Sequence, residues 1–447
     1  MLRYVRLRDP VGQQVHTALA CLYLFLLPLQ TAPKDILFVM LTGYALLRLP
    51  NTWRCYTVLL RDSVGWLMLA WLLWHAAAVL WSLDPAEGVK ELRSHRIILT
   101  PLILWPVIDR LTWMVIALLI GVFGQNMVQL LQALRLFGFE PNQWGRLRGL
   151  IHPIHTGTFA LAALLLCVSA LCVLPWRGRS VRALLPFALA LIGGLAALFG
   201  FIGAGSRGPW IAGLVALPCL FVLLMIHYPT ARRRLLISAV PACIVMALLI
   251  IPLRGYLGDR VTDAVEQLEE AIEEEDFDSD VGLRIGLWRW AGRGFMEAPL
   301  FGMGSGSYAL YVERTPEFIE LAAERPPDRP AEAKTQPHSL YMHVLFSHGL
   351  VGALVAFPAL LIVTVRLLRR RPESVFTCGL FAVMISWLVG TMFDSYNTSG
   401  AQFGLYGLLM AAALPWRPPP RTSRTPYDPD DEALLAGACG VDERSDC

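Results

Sequence analysis

The sequence predicts an all-α integral membrane protein with about twelve transmembrane helices and one large helical outer loop between the ninth and tenth. Three observations carry that fold class. The 447 residues are 55% hydrophobic and only 16% charged, with a mean hydropathy of +0.52, whereas soluble domains run at roughly 45–50% apolar. Apolar stretches close to the roughly 20 residues that span a bilayer recur along nearly the whole chain. Only one long hydrophilic segment, about residues 253–340, interrupts them before the C-terminal tail.

Spans are expected near residues 15–31, 35–50, 64–82, 97–108, 111–134, 156–175, 183–203, 209–227, 236–252, 341–365, 375–393 and 401–415. Arg3, Arg6 and Arg8 precede the first apolar run with no small-residue cleavage site after it, so the first span is read as uncleaved. Short loops rich in arginine, at Arg48, Arg54 and Arg61, at Arg177, Arg179 and Arg182, at Arg232–Arg234, at Arg366 and Arg369–Arg371, and at Arg417, Arg421 and Arg424, then fall on one side. The positive-inside rule makes that side cytoplasmic and, with an even number of spans, puts both termini there. The expected organisation is therefore helices one to nine over 1–252, a periplasmic loop over 253–340, helices ten to twelve over 341–416 and a disordered tail over 417–447. The nine cysteines fall in expected spans, cytoplasmic loops or the tail, which points to neither a disulfide framework nor a CxxC metal site.

The basic residues are unusual in kind and in place. Of 38, only Lys34, Lys90 and Lys334 are lysine. Several lie on outer loops against the charge bias: Lys90, Arg93 and Arg96, then Arg135, Arg146 and Arg148, then Arg207 inside the short AGSRG turn. Cations near the apolar region are costly unless paired, and an anionic partner would offset that cost. Arginine suits a diphosphate, because its planar fork donates two parallel hydrogen bonds and keeps its charge when partly dehydrated.

Within the long loop, Val261, Val265, Leu268 and Ile272 recur at helical spacing with an acidic opposite face. A second helix follows, with Leu283, Leu287 and Trp290 on one side and Arg284, Trp288 and Arg289 around it. Arg207 and Arg284 are the leading anion-binding candidates, with Arg289, Arg146, Arg148 and Lys90 behind them; anionic lipid head groups are the plainer partners for the last three. The stretch from Arg314 to Pro337 reads as a mobile loop leading to His338 at the start of the tenth span. There a neutral imidazole can take a proton from an incoming hydroxyl near neutral pH. His343 and His348, further along, read as structural. His152 and His155 lack an evident third ligand, and the acidic run at 273–280 reads as a solvated helix face, so no metal is expected. Gly302, Gly304 and Gly306 have no βαβ pattern around them and read as a flexible turn.

In order along the chain, SRGPW after an apolar span, RxxLW, ExPLFGxGxGxY and PHSxY opening a span that carries GxxG resemble the O-antigen ligase and polymerase superfamily, over roughly residues 145–400. Length, twelve spans and the single large outer loop resemble the ligases most. The resemblance implies a membrane-embedded glycosyltransferase of the bacterial inner membrane with its active site facing the periplasm. It would use no cofactor and no metal, with an undecaprenyl-diphosphate-linked O-antigen as donor and lipid A core oligosaccharide as acceptor. Membrane lipids surround it, and no nucleic-acid partner is implied. It places His338 at the family's base position and Arg207 and Arg284 at its diphosphate-contacting positions, while His343 and Ser347 stand where family members often carry an amide and an acid. O-antigen polymerases and protein-directed oligosaccharyltransferases share this core and are the alternative reading. A transporter is disfavoured because the two halves show no matching repeats.

Overall fold

A computed structural model describes residues 5–6, 8–142, 145–174, 181–229, 232, 236, 255, 258–259, 262–273, 277, 279–324, 334–371, 374–396 and 399–414. Among these residues every regular element is helical. The N-terminal part holds α1 (Pro10–Leu26), α2 (Thr31–Leu47), α3 (Leu49–Leu59), α4 (Ser63–Ala78), α5 (Pro85–Ser94), α6 (Thr100–Leu104) and α7 (Leu111–Ala133). Next come α8 (Pro153–Val173), α9 (Val181–Gly203), α10 (Arg207–His227) and the helical residues 262–273, here α11. The C-terminal part holds α12 (Asp280–Glu297), α13 (Tyr308–Glu313), α14 (Pro316–Glu324), α15 (Leu340–Arg369), α16 (Thr377–Gly390) and α17 (Gly400–Ala413).

Short polar side chains start several of these helices. Asp9, Asp62, Asp84 and Ser279 each accept a backbone N–H of the first turn of α1, α4, α5 and α12, which satisfies donors that a helix start leaves open. Five helical runs are long and apolar enough to cross a membrane, or six if α3 and α4, bent by 101° at their junction, make one span. This is a helical membrane protein. The expected ninth span, 236–252, lies almost wholly outside the described residues, as do 175–180, 325–333 and the tail from 415.

The observed elements correct the expected ones in four places. The fourth span is not one helix: Pro101 and Pro106 split 95–110 into two 3-10 segments around the five-residue α6, since proline cannot donate and clashes with the preceding turn. The 51–62 loop is largely helical, as α3. Part of the expected mobile loop after Arg314 is α14. On α11, Val265 and Ile272 stay exposed while Ala271 is buried, so the face turned inward is rotated from the expected stripe. α12 does bury its expected side: Leu287 and Trp290 pack with Tyr308, Phe318 and Phe346. α16 and α17, at 14 residues each, run only about 21 Å, and almost every one of their residues is buried by neighbouring helices.

Among the described residues, several connections between helices meet at one end of the bundle. Leu147 N–H donates to Gly203 O at 3.0 Å, Arg207 reaches Gln267 of α11, and Ser82 Oγ donates to Ser305 O at 2.6 Å. At the other end, Arg48 pairs with Asp9 and Arg366 with Asp62, each at 2.8 Å, and Arg6 pairs with Asp109.

The glycine turn 302–306 is a packing seam, not a flexible loop. Met303 and Gly304 N–H donate to Phe346 and Ser347 carbonyls at 2.8 and 3.1 Å, and Ser305 N–H donates to Ala78 O at 3.2 Å. Gly304, at φ +92°, sits so close to α4's end that a Cβ would lie 2.6 Å from the Ser82 Cα. Only glycine fits both that conformation and that approach.

Candidate functional site

At the end where the loops gather, a cleft of about 310 Å³ opens between the α9–α10 turn, α11, α12 and the α16–α17 connection. Each wall has a local cause. The α9–α10 turn closes through Gly205, whose φ of +58° suits glycine, and Ser206, Arg207 and Gly208 at the start of α10 line the cleft. A helix start directs N–H groups and the positive end of its dipole outward, which favours an anion. From α12, Val281, Arg284, Ile285 and Trp288 line the cleft. Their i, i+3, i+4, i+7 spacing is one helix face, opposite the side that packs on Tyr308 and Phe346.

Arg146 enters from the α7–α8 connection. A glutamine ladder on α7 holds that loop: Gln125 donates to Arg148 O at 3.1 Å, Gln129 to Leu147 O at 2.7 Å and Gln132 to Gly149 O at 3.1 Å. The Gly149 and Leu150 N–H groups donate back to Gln132 and Gln125. Residues 125, 129 and 132 share one helix face, so a chain segment without regular structure is fixed by three side chains.

The fourth wall brings a carboxylate. Asp394 lines the cleft in the turn after α16, and His338 Nδ1 donates to its Oδ1 at 3.1 Å. Burial pushes the Asp394 pKa up, but the His338 hydrogen bond, the charges of His155 and His338, and the Ser395 N–H outweigh it and hold the group below the usual carboxylate range. Backbone bonds fix the pair: Leu340 N–H donates to Thr391 O at 2.9 Å and Ser395 N–H to Asp394 Oδ1 at 2.9 Å. His338 has φ +48°, in the left-handed region. That conformation costs a non-glycine residue roughly 1–3 kcal/mol and concentrates at functional sites. With Nδ1–H given to Asp394, the lone pair of a neutral ring lies on Nε2.

Of the residues singled out from sequence, the cleft thus joins Arg207, Arg284 and Arg146, with His338 on its Asp394 wall. Arg284 Nε also donates to Phe393 O at 3.4 Å, across the cleft floor. Three others are elsewhere. Lys90 is 76% exposed and pairs with Glu87 one turn away at 3.0 Å. Arg148 and Arg289 are exposed side chains outside the lining, and neighbouring Arg293 pairs with Glu317. Asp394 was not anticipated. A lone acid between two apolar runs is costly and so is a signal in itself, but the partner that explains it is 56 residues away. The glutamine ladder was also legible as spacing, in QNMVQLLQ.

Fold and site define a polytopic helical membrane protein with an arginine-lined cleft beside a histidine–carboxylate pair. Residues 192–357 match the family model described as Wzy_C, O-antigen ligase, and this match supports a relationship to the O-antigen ligase/polymerase superfamily. The matched stretch carries Arg207, Arg284 and His338 and ends before Asp394. Among curated proteins, none matches the chain.

Proposed function

We propose that the chain is an O-antigen ligase that transfers glycan from undecaprenyl diphosphate to lipid A core oligosaccharide on the periplasmic face of a bacterial inner membrane, with both termini cytoplasmic. The observation that carries this reading is the convergence of Arg146, Arg207 and Arg284 on one cleft with the His338–Asp394 pair. The match of residues 192–357 to the O-antigen ligase family model supports the transferase class.

Chemistry on these residues is a single displacement. The acceptor hydroxyl oxygen bonds to the anomeric carbon as the bond from that carbon to the diphosphate oxygen breaks, and the hydroxyl proton passes to His338 Nε2. Asp394 holds the ring by Nδ1–H and stabilises the imidazolium that forms, the role a carboxylate plays in a triad. Charge develops on the departing diphosphate, where preset cations act most strongly when water is excluded. Arg207 and Arg284 supply that charge and Arg146 supports them, aided by the N-terminus of α10. No step routes through a metal, and one displacement inverts the anomeric configuration.

The acceptor is tested by offering lipid A core, a second donor molecule and a peptide separately to the purified protein with undecaprenyl-diphosphate glycan. Product on lipid A core alone is expected. Growth of the donor's own glycan would make the chain a polymerase, product on peptide an oligosaccharyltransferase, and a product of retained configuration would overturn the single displacement.

A further inference from the structure

Beneath the glycine seam lies a second polar cluster that the transfer chemistry leaves unused. His75 at the end of α4, Glu91 of α5, His95 of the following 3-10 segment, and His343 and His348 of α15 meet inside the bundle, each at most 9% exposed. Ligand atoms of His75, Glu91 and His95 lie within 4.8 Å of one another, as do those of Glu91, His343 and His348. The His75 ring centroid is 4.2 Å from that of His95 and 4.7 Å from that of His348.

The hydrogen bonding around these rings is incomplete in a particular way. Both ring nitrogens of His75 and both of His348 are buried with no hydrogen-bond partner. A buried imidazole without partners is costly, and two facing each other are not explained by packing alone. The other members are held as metal sites hold their ligands. His95 Nδ1 donates to Glu91 O at 3.0 Å, which in the neutral ring puts the lone pair on Nε2. Glu91 accepts from Gly306 N–H at 2.8 Å through one carboxylate oxygen and pairs with His343 through the other. Backbone carbonyls and histidines that orient a ligand in this way are the outer shell expected of a metal centre. Trp71 packs on His75, His95 and His348 and closes one side of the cluster.

We propose that His75, His95, His348 and Glu91 bind one divalent transition-metal ion of the zinc class, with His343 as the outer partner of Glu91. Imidazole nitrogens with one carboxylate suit zinc and its neighbours rather than magnesium or calcium. Four protein ligands make the site closed, hence structural: the ion ties α4 and the segment after α5 to α15, the helix that His338 precedes. The proposal stands apart from the transfer reading, which uses no metal.

The test measures bound metal, not activity. Full-length protein purified in detergent without chelator is assayed by elemental mass spectrometry and, after stripping and reloading with Co²⁺, by visible and X-ray absorption. About one ion per chain, a tetrahedral Co²⁺ visible band and a first shell dominated by histidine nitrogen are expected. His75→Ala and Glu91→Gln should each lose most of the ion, while His152→Ala, at the other histidine pair, keeps it. Should the first two variants fail to fold, the wild-type first shell decides alone. Wild type that neither carries nor rebinds an ion, a shell of oxygen only, or full retention in folded His75→Ala would overturn the proposal.

Discussion

Two polar clusters sit at the same end of the bundle, and they differ in almost every physical respect. The arginine cleft is open, holds about 310 Å³ and carries a strained backbone at His338. The histidine cluster under the seam is closed, its members at most 9% exposed, and sealed by glycines with no room for a side-chain carbon. Space, positive charge and strain belong where a bulky anionic substrate must enter and react. Dry closure and close backbone approach belong where two halves of a bundle must not move. On the proposed reading, the cleft's groups do the chemistry and the closed cluster holds them in place.

The contrast can be broken in several ways, taken from the largest effect down. Asp394→Asn removes the carboxylate that orients His338, and transfer should fall by roughly 10²–10⁴-fold with donor binding nearly unchanged; a loss confined to donor affinity would place Asp394 in binding instead. Arg207→Ala and Arg284→Ala should each cost transfer roughly 10²–10³-fold, in the range of a lost charge-stabilising donor. Lysine at either position should recover only part, because it keeps the charge without the fork, and full recovery would reduce the arginines to general cations. In the seam, Gly304→Ala meets backbone at 2.6 Å and should destabilise the fold by about 2–4 kcal/mol, read as a lowered Tm. If transfer per folded molecule fell as well, the seam would not be purely structural. Lys90→Ala should change stability by no more than about 0.5 kcal/mol and leave transfer intact, since its pair with Glu87 is on the surface.

Asp394 also sets a pH dependence. Its folded-state pKa lies below the usual value, with the His338 hydrogen bond and nearby positive charge overcoming burial. The stability it contributes is thus complete above the ordinary carboxylate pKa and is lost as pH falls through the depressed one. The Tm difference between wild type and Asp394→Asn should hold as pH is lowered from neutral to about 4 and narrow below that. A difference that vanished already near pH 6 would mean that the carboxylate is not the titrating partner.

How much the sequence revealed follows from how local each signal is. Arg207 was legible because Gly205 and Pro209 mark the turn that carries it, and Arg284 because its neighbours Leu287 and Trp290 show which side of α12 is buried. The position of His338 at a loop-to-span junction was legible from PHSxY, while the base role comes only from the resemblance. Lys90 carried the same charge argument as Arg146 and yet sits outside the cleft, because a loop's side of the membrane says nothing about which loops touch. Asp394 and the histidine cluster were hidden for the same reason. His343 reaches Glu91 across 252 residues, a contact that exists only once α5 and α15 are packed. Helix breaks at Pro101 and Pro106 were visible as prolines, but their apolar surroundings still read as one span.

The central claim is that the cleft is a transfer site with His338 as its base. It is met most directly by mixing the purified protein with undecaprenyl-diphosphate glycan and lipid A core in detergent, and comparing wild type with His338→Ala on a gel of lipid products. Higher-mass glycolipid from wild type alone is the predicted result; equal product from the variant, or none from the wild type, would contradict it.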